Sequence, residues 1–243
     1  MLKISFLSLY SQQLTSFFER GIISRAIENN HLTVEYKNLR DFSDPPHHKV
    51  DDYPFSNKKG MLLKYDVLNK AIKSFETKPI IIMPDPKGVA FKAEHAKMIS
   101  DQSHVVFLSP AFEGVDDRIF SKFDIHRYSM GDFILLNGDA PSMMMAEAAV
   151  RYLPNILGCS DCVEDDSILT GLLEAPQFTA PRSIDQLDVP EVLLSGNHRE
   201  IDRWKYKQSL YHTLFTRPDL INGFKFDKKS VNIIDQLIME DIV

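Results

Sequence analysis

The stretch Ser129-Met-Gly-Asp-Phe-Ile-Leu-Leu-Asn-Gly-Asp-Ala-Pro141 decides how the fold of this chain is interpreted. Four consecutive apolar residues, 133–136, stand between two turns and predict a short buried strand. The second turn, residues 137–139, and Pro141 predict that a helix over residues 142–152 begins there. A strand, a glycine-containing turn and a helix start leave backbone N–H groups free to face a ligand. Many α/β proteins contain such a turn for packing alone, so both interpretations stay open at this point.

Similar units precede this stretch and predict the class of fold. Apolar runs typical of strands occur at residues 3–9, 32–36, 80–83 and 105–108. Helical spacing of apolar residues appears between them, at residues 14–27, 61–75 and 92–100. Strands that alternate with helices predict a mainly parallel α/β sheet. Loops containing proline and glycine follow the third and fourth runs, so three loops at strand ends are expected to converge on one ligand.

The pattern changes after residue 152. Residues 154–174 are rich in turns and acidic side chains, which is typical of a linker, and a small, mostly helical second domain is predicted from Ser167 onward. Asn197 followed three positions later by Glu200 predicts a capping box that opens a helix reaching about residue 215. Arginine and lysine recur every four residues on this helix and form a basic row, namely Arg199, Arg203 and Lys207.

Composition excludes several classes of protein. The formal net charge of −6 argues against a protein that binds nucleic acid over its whole surface, although a local basic patch is compatible with it. The apolar runs are too short for a membrane span. The first ten residues are interpreted as a strand rather than a signal peptide. Two cysteines and nine methionines favour a reducing cytoplasm.

Several familiar site motifs are missing from the sequence. Neither a dinucleotide-binding G-x-G-x-x-G, nor a Walker A loop, nor a G-x-S-x-G elbow, nor an H-E-x-x-H motif occurs. Cys159 and Cys162 form a lone C-x-x-C, for which chance placement in a linker is favoured over a metal or redox role. His47 and His48 are interpreted as solvated loop residues rather than ligands. Asp166 is either a general base or part of a solvated acidic turn, and Arg151 either stabilises a helix C-terminus or faces a ligand.

The chain resembles the bacterial tRNA (guanine-N1)-methyltransferases, the TrmD family of the SPOUT superfamily, over nearly its whole length. The strings that carry the resemblance are Arg40-Asp41-Phe42, Val50-Asp51-Asp52, Glu113-Gly114-Val115-Asp116, Ser129-Met-Gly-Asp-Phe133, Glu147-Ala-Ala-Val-Arg151, Asp165-Asp-Ser167, Gly171-Leu-Leu173 and Leu193-Leu-Ser-Gly-Asn-His198. The last string is the most specific of them, since it continues into Arg203-Trp204 and Gln208-Ser-Leu210.

The resemblance implies a fold that periodicity does not reveal. It implies a parallel α/β sheet whose C-terminal part is threaded as a trefoil knot, followed by a small helical domain. The domains are then expected at residues 1–158 for the methyltransferase domain, 159–172 for the linker and 173–243 for the tRNA-binding domain. Because knots are rare exceptions to ordinary topology, this expectation depends on the resemblance alone.

The resemblance also implies a cofactor, a substrate and partners. S-adenosylmethionine is expected in the three knot loops of an obligate homodimer, with the methyl group passing to N1 of the guanine immediately 3′ of the anticodon, position 37. The cofactor-binding residues carried over are Pro86, Gly88, Phe112, Glu113, Gly114, Met130, Gly131, Phe133, Leu135, Gly138 and Pro141. Magnesium dependence is a further family property, although no metal-ligand constellation is visible in the sequence.

Roles for the catalytic and RNA-binding residues follow from the same resemblance. Asp166 is expected to take the guanine N1 proton, and Arg151 to hold the guanine O6 atom while negative charge develops. The helical domain of the partner subunit is expected to grip the tRNA anticodon stem-loop. Its candidate contact residues are Asn197, His198, Arg199, Arg203 and Lys207. Neither DNA nor a membrane is expected as a partner.

The chain departs from the family in three loops. Ser56-Asn-Lys-Lys-Gly-Met61 replaces a glycine-rich Gly-Gly-Gly-Pro-Gly-Met, Pro110-Ala-Phe-Glu-Gly114 replaces Gly-Arg-Tyr-Glu-Gly, and Asn137-Gly138 replaces Gly-Gly. Proline removes a backbone donor, and alanine removes a guanidinium. An active tRNA methyltransferase with a modified pocket is therefore weighed against an RNA-binding paralogue that has weakened or lost methyl transfer. A methyltransferase of this architecture acting on another RNA base is a third alternative.

Overall fold

The structure is a computed structural model that describes residues 1–55, 59–154, 156, 171–224, 226 and 230–234. The chain divides into two compact units, Met1–Ser160 and Asp161–Val243. The predicted linker, residues 159–172, lies almost wholly outside the described residues, as do Cys159, Cys162 and Asp166. The three-part division at residues 158 and 172 therefore stays a prediction.

The first unit is an α/β structure whose elements alternate along the chain. In order they are β1 (Leu2–Ser8), α1 (Ser11–Phe18), α2 (Gly21–Glu28), β2 (Leu32–Asn38), β3 (Asp51–Asp52), β4 (Leu62–Leu63), α3 (Tyr65–Lys73), β5 (Ile80–Ala90), α4 (Ala93–Ser100), β6 (His104–Leu108), α5 (Arg118–Lys122), β7 (Ile125–Ser129) and α6 (Asp139–Val150). A short 3-10 helix, Leu39–Phe42, follows β2.

The described strands β1, β2, β5, β6 and β7 form a sheet in the order β2-β1-β6-β5-β7. Every pairing between neighbours in this sheet is parallel. The predicted parallel α/β class is thus confirmed. Strands β3 and β4 form a separate antiparallel pair beside it.

Apolar residues pack on both faces of the sheet because successive strand residues point to opposite sides. Along β6, Val105 and Phe107 join one core cluster, whereas Val106 and Leu108 join the other. Both faces are therefore covered by helices, which is why the central strands are continuous apolar runs rather than alternating ones.

Two sequence-based assignments near the carboxyl ends of the strands were wrong. Residues 133–136, predicted as a buried strand, form an exposed loop. The strand that precedes α6 is β7, which begins eight residues before residue 133. The predicted loop at residues 84–88 is instead part of β5, which pairs with β7 on both sides of a register shift between Pro84 and Val89.

The second unit is helical with one small hairpin in its described part. Its elements are β8 (Ser183–Ile184), β9 (Leu187–Asp188), α7 (Glu191–Leu194), α8 (His198–Thr216) and a 3-10 helix, Pro218–Gly223, and residues 230–234 are also helical. Asn197 caps α8, since its side-chain oxygen accepts a hydrogen bond from the Glu200 N–H at 3.5 Å. The predicted helix start at Asn197 is therefore confirmed.

Across the part of the chain that the structure describes, every helix is too short or too polar to cross a membrane.

Candidate active site

Residues 84–87 of β5 take the place of the first predicted loop, and together with the loops that follow β6 and β7 they surround one cavity of about 570 Å³. The predicted convergence on a common point is therefore observed, although its first member belongs to a strand. The cavity is lined by residues of these three segments and of the β3–β4 segment: Pro54, Leu62, Met83, Pro84, Asp85, Pro86, Lys87, Pro110, Ala111, Phe112, Glu113, Gly114, Val115, Asp117, Phe120, Arg127, Tyr128, Ser129, Met130, Gly131, Phe133, Ile134, Leu135, Leu136, Asn137, Gly138 and Pro141. Its volume lies within the roughly 300–1,000 Å³ of small-molecule sites.

Ten of the eleven residues proposed as cofactor contacts line this cavity, and Gly88 is the exception. Gly88 instead packs against β7, because a Cβ atom at this position would lie 2.5 Å from the Arg127 carbonyl oxygen and the Tyr128 nitrogen. Its small size thus lets β5 pass close to β7 at the register shift.

The second loop, residues 109–114, is held by backbone hydrogen bonds to the β3–β4 segment. The Glu113 N–H donates to the Met61 carbonyl at 3.0 Å, and the Leu63 N–H donates to the Gly114 carbonyl at 2.9 Å. Phe112 has a φ of +58°, which is a strained conformation for an aromatic residue. Such strain persists only where neighbouring contacts hold it, and it is common beside ligand sites.

The third loop connects β7 to α6 and carries most of the cavity's exposed apolar surface. The Ser129 hydroxyl bonds both the Gly131 carbonyl, at 3.1 Å, and the Gly131 N–H, at 3.3 Å, which closes the first turn. Beyond it, residues 133–136 are all exposed, and Leu136 is 96% exposed. The loop therefore presents apolar side chains at the cavity rather than burying them in the core.

The second and third loops are joined to each other. Ala111 and Asn137 form an antiparallel bridge, and the Gly138 N–H donates to the Pro110 carbonyl at 2.7 Å. A Cβ atom at position 138 would lie 2.8 Å from the Pro110 nitrogen and closer still to its ring. Ala111 and Asn137, two positions where this chain departs from the family that it resembles, are thus direct partners.

Charged side chains of both signs line the cavity. The carboxylates are Asp85, Glu113 and Asp117, and the cations are Lys87 and Arg127. The Arg127 guanidinium lies 3.4 Å from the Asp85 carboxylate and 4.6 Å from the centre of the Phe120 ring. These contacts hold Arg127 against one wall of the cavity.

Asp139, the first residue of α6, is a buried carboxyl group directly after this junction. It is only 2% exposed, and neither of its oxygen atoms has a hydrogen-bond partner among the described residues. Burial raises the pKa of the Asp139 carboxyl, and the nearby hydroxyls of Ser8 and Ser109 offset this only in part.

The two proposed catalytic residues have different standing in the structure. Arg151 is exposed and forms the C-cap of α6, where its N–H donates to the Glu147 carbonyl at 3.2 Å. This position suits the favourable interaction of a cation with a helix C-terminus as well as a contact with substrate. Asp166 lies outside the described residues.

The proposed RNA-binding residues lie together at the start and along one side of α8. Asn197, His198, Arg199 and Arg203 are exposed, whereas Lys207 is half-buried. The basic row predicted from the spacing is therefore displayed on the surface at its first two positions.

Sequence reasoning missed the Arg127–Asp85 pair because it missed β7. The only signal was composition, because Ile125 and Tyr128 belong to the β-branched and aromatic types enriched in strands, whereas residues 125–129 do not alternate between apolar and polar side chains. The more apolar run 133–136, eight residues later, was therefore assigned as the strand in place of residues 125–129.

Within the described ranges, no cluster of three or more histidine, cysteine, aspartate or glutamate side chains could hold a metal ion. The magnesium dependence implied by the resemblance stays an expectation.

A parallel α/β sheet with a ligand cavity built from three loops at the carboxyl ends of adjacent strands defines a class of small-molecule-binding enzyme folds. The family model for tRNA (Guanine-1)-methyltransferase TrmD matches residues 2–223. Two proteins named tRNA (guanine-N(1)-)-methyltransferase, from Staphylococcus carnosus (strain TM300) and Staphylococcus aureus (strain JH9), are each 37% identical to this chain, over 236 and 237 residues. These alignments cover 96% and 97%, respectively, of both proteins. The chain belongs to the TrmD tRNA (guanine-1)-methyltransferase family.

Proposed function

We propose that this protein transfers a methyl group from S-adenosylmethionine to N1 of the guanine immediately 3′ of the tRNA anticodon, position 37. The observation that carries this proposal is the convergence of the three loops on one cavity in a chain of this family. Ten residues that the resemblance assigns to the cofactor line that cavity. None of the described features favours an RNA-binding paralogue without methyl transfer.

The cavity walls suit a ligand that is part apolar and part charged. Exposed apolar side chains of the third loop would pack on the adenosine, and loop backbone groups would bond its polar edges. The carboxylates of Glu113 and Asp85 supply negative potential for the cationic sulfonium and amino groups. S-adenosylmethionine, when bound, supplies an electrophilic methyl group.

The chain's own residues would handle the proton and the charge. Asp166 accepts the N1 proton of guanine, which leaves an electron pair on N1 for the methyl group. The Arg151 guanidinium donates to the guanine O6 atom, where negative charge accumulates as the proton leaves. The two groups thus act on neighbouring positions of one base edge.

The second unit would hold the tRNA. Exposed Arg199 and Arg203 on α8 suit contacts with phosphates of the anticodon stem-loop, with Asn197 and His198 beside them at the helix start. Lys207 continues the same row. Recognition through the backbone of RNA fixes the register of the substrate rather than its sequence.

A homodimer is part of the proposal. Residues 133–136 are four consecutive exposed apolar residues, an arrangement that marks an interaction surface in a folded protein. A second copy of the chain would cover part of this run and complete the site, as the family resemblance implies. The proposed substrate agrees with the cytoplasmic location expected from the sequence.

The test of the function is to incubate the purified protein with S-adenosylmethionine and total tRNA and to map the methylated bases by mass spectrometry. Methylation at N1 of guanine 37 is expected. If S-adenosylmethionine does not bind up to millimolar concentration in isothermal titration, with and without tRNA, the enzyme assignment is wrong.

The proposed base is tested by Asp166→Asn, with Asp165→Asn as the matched control. Loss of methyl transfer is expected only for Asp166→Asn, since the amide keeps the size of the side chain but cannot accept the N1 proton. The Kd for tRNA, measured by filter binding, should be nearly unchanged in both variants. Normal turnover of Asp166→Asn would assign the base elsewhere.

A further inference from the structure

Two aromatic side chains of the first unit stand in solvent beside the cavity. Tyr53 is 76% exposed and Phe55 is fully exposed, at 107%. Aromatic side chains of this size normally bury most of their surface in a core or an interface. Neither ring contacts another aromatic ring among the described residues. The folded unit therefore leaves both rings available to a partner.

The backbone that carries these rings is fixed on its N-terminal side. Asp52 pairs with Leu62 in the β3–β4 ladder, and the Tyr53 N–H donates to the Asp52 carboxylate at 2.9 Å. Lys49 binds the same carboxylate at 3.0 Å. Val50 is buried, and its carbonyl accepts a hydrogen bond from the Lys64 N–H at 2.9 Å. The rings are thus displayed from an anchored segment.

The two residues that carry the rings flank a residue of the cavity wall. Pro54, the residue between them, lines the cavity wall, and so does Leu62, the ladder partner of Asp52. Consecutive Cα atoms are about 3.8 Å apart, so Tyr53 and Phe55 each begin one residue from the cavity wall. Neither residue lines the cavity itself. A group bound by these rings would lie next to the cavity's contents.

We infer that Tyr53 and Phe55 form a stacking surface for an unstacked nucleobase that flanks the target guanine. This inference depends on the proposed function, because a guanine that enters the cavity leaves its neighbour without a stacking partner. Exposed aromatic faces supply that partner for any base, since every base has a π-face. The exposed Lys59 in the same segment suits the adjoining phosphate.

The competing occupant of these rings is a second copy of the chain. Stacking on RNA is favoured by the place of the rings at the rim of the substrate cavity and by the neighbouring lysine. The apolar run of the third loop, which has four adjacent members, is the better surface for self-association. Sedimentation of the variants decides between the two occupants.

The experiment compares Tyr53→Ala and Phe55→Ala with their conservative counterparts Tyr53→Phe and Phe55→Tyr. Ile22→Ala, an exposed apolar residue on α2, is the matched control. Each alanine variant is expected to raise the KM for tRNA about tenfold, which is the loss expected for one stacked base. The conservative variants and the control should keep the parent KM. The Kd for S-adenosylmethionine should not change in any of them.

A second readout reports stacking directly. An anticodon stem-loop with 2-aminopurine in place of either neighbour of the target guanine should lose fluorescence when it binds the parent protein. This quenching should be reduced for Phe55→Ala and Tyr53→Ala. Unchanged KM and unchanged quenching in both alanine variants would overturn the inference, and so would a shift of these variants to monomer in sedimentation. Failure of the parent protein to methylate tRNA would instead refute the proposed function.

Discussion

Two runs of four apolar residues, 105–108 and 133–136, have similar composition and opposite surroundings. The first lies in β6 and is fully buried between two core clusters, whereas the second lies in a loop and is exposed throughout. The difference comes from neighbours along the chain. β7 already supplies the strand that pairs with β5, so the later run has no place in the sheet. Apolar composition thus identifies residues that need a partner, but it does not say whether that partner is the core or a ligand.

Leucine-to-alanine changes in the two runs test this contrast most strongly. Leu108 is 0% exposed, so Leu108→Ala should lower the free energy of unfolding by about 2–5 kcal/mol, through lost burial and a residual cavity. Leu136→Ala should change the free energy of unfolding of the dissociated chain by less than about 0.5 kcal/mol. Urea denaturation at two protein concentrations measures both. A cost for Leu136→Ala that shrinks on dilution would place this residue in a subunit interface.

Most strands of the sheet around residues 105–108 were predictable from the sequence, for physical reasons. A run buried on both faces has a local signature, so β1 and β6 were located within one residue. The edge strand β2 is mostly half-buried and was located within two residues. The parallel class followed from strand–helix alternation. β7 was not located because it mixes Ile125 with His126 and Arg127, and the residues of β5 with which it pairs lie 39 to 44 positions earlier in the chain.

The site was predictable only in part. The three loops were located because proline and glycine follow strand ends, and the resemblance supplied the residue roles. Spacing could not supply the bridge between Ala111 and Asn137 or the aromatic pair at the rim, since both depend on how separate loops fold against each other. Gly88 shows the converse: a glycine expected to face a ligand is required by strand packing instead.

Gly138→Ala tests the point where the exposed loop meets the packed structure. The φ of Gly138 is −85°, so its backbone conformation allows alanine. The added Cβ atom, however, would press on the Pro110 ring. The loops should move apart, and the Kd for S-adenosylmethionine should rise tenfold or more, about 1.4 kcal/mol. Isothermal titration measures this change.

Two further variants make the Gly138→Ala result specific. Gly21→Ala is the control for a glycine change away from the cavity: its φ of +69° makes alanine costly to stability, but a Cβ atom there has no neighbour within 4 Å, and cofactor affinity should stay at the parent value. Adding Pro110→Gly to Gly138→Ala should restore part of the affinity, since it removes the ring that the new methyl group meets. Equal affinities for Gly138→Ala and the parent protein would mean that the junction does not shape the cavity.

The smallest effect is expected for Asp139, the residue after Gly138, which is a buried titratable group. The pKa of Asp139 is raised in the folded chain by burial, so its contribution to stability is fully present below the unfolded pKa and is lost as pH rises through the folded value. Asp139→Asn removes this loss. The Tm of the variant relative to the parent should therefore be higher at pH 8 than at pH 4.

Calorimetry across this pH range measures the effect, with Asp132→Asn, an exposed carboxyl of the same loop, as the control for removing one negative charge. A difference between Asp139→Asn and the parent that is constant from pH 4 to pH 8 would show that burial does not raise the pKa of Asp139.

The bridge between the second and third loops has a consequence for how this protein diverged from its relatives. Pro110 and Ala111 on one side meet Gly138 and Asn137 on the other, so a change on either side alters the fitness of changes opposite. Substitutions across this junction should be epistatic. Grafting a relative's second loop alone should impair the protein, whereas exchanging both loops together should be tolerated, and the departures from the family at this junction are then best understood as one inherited unit.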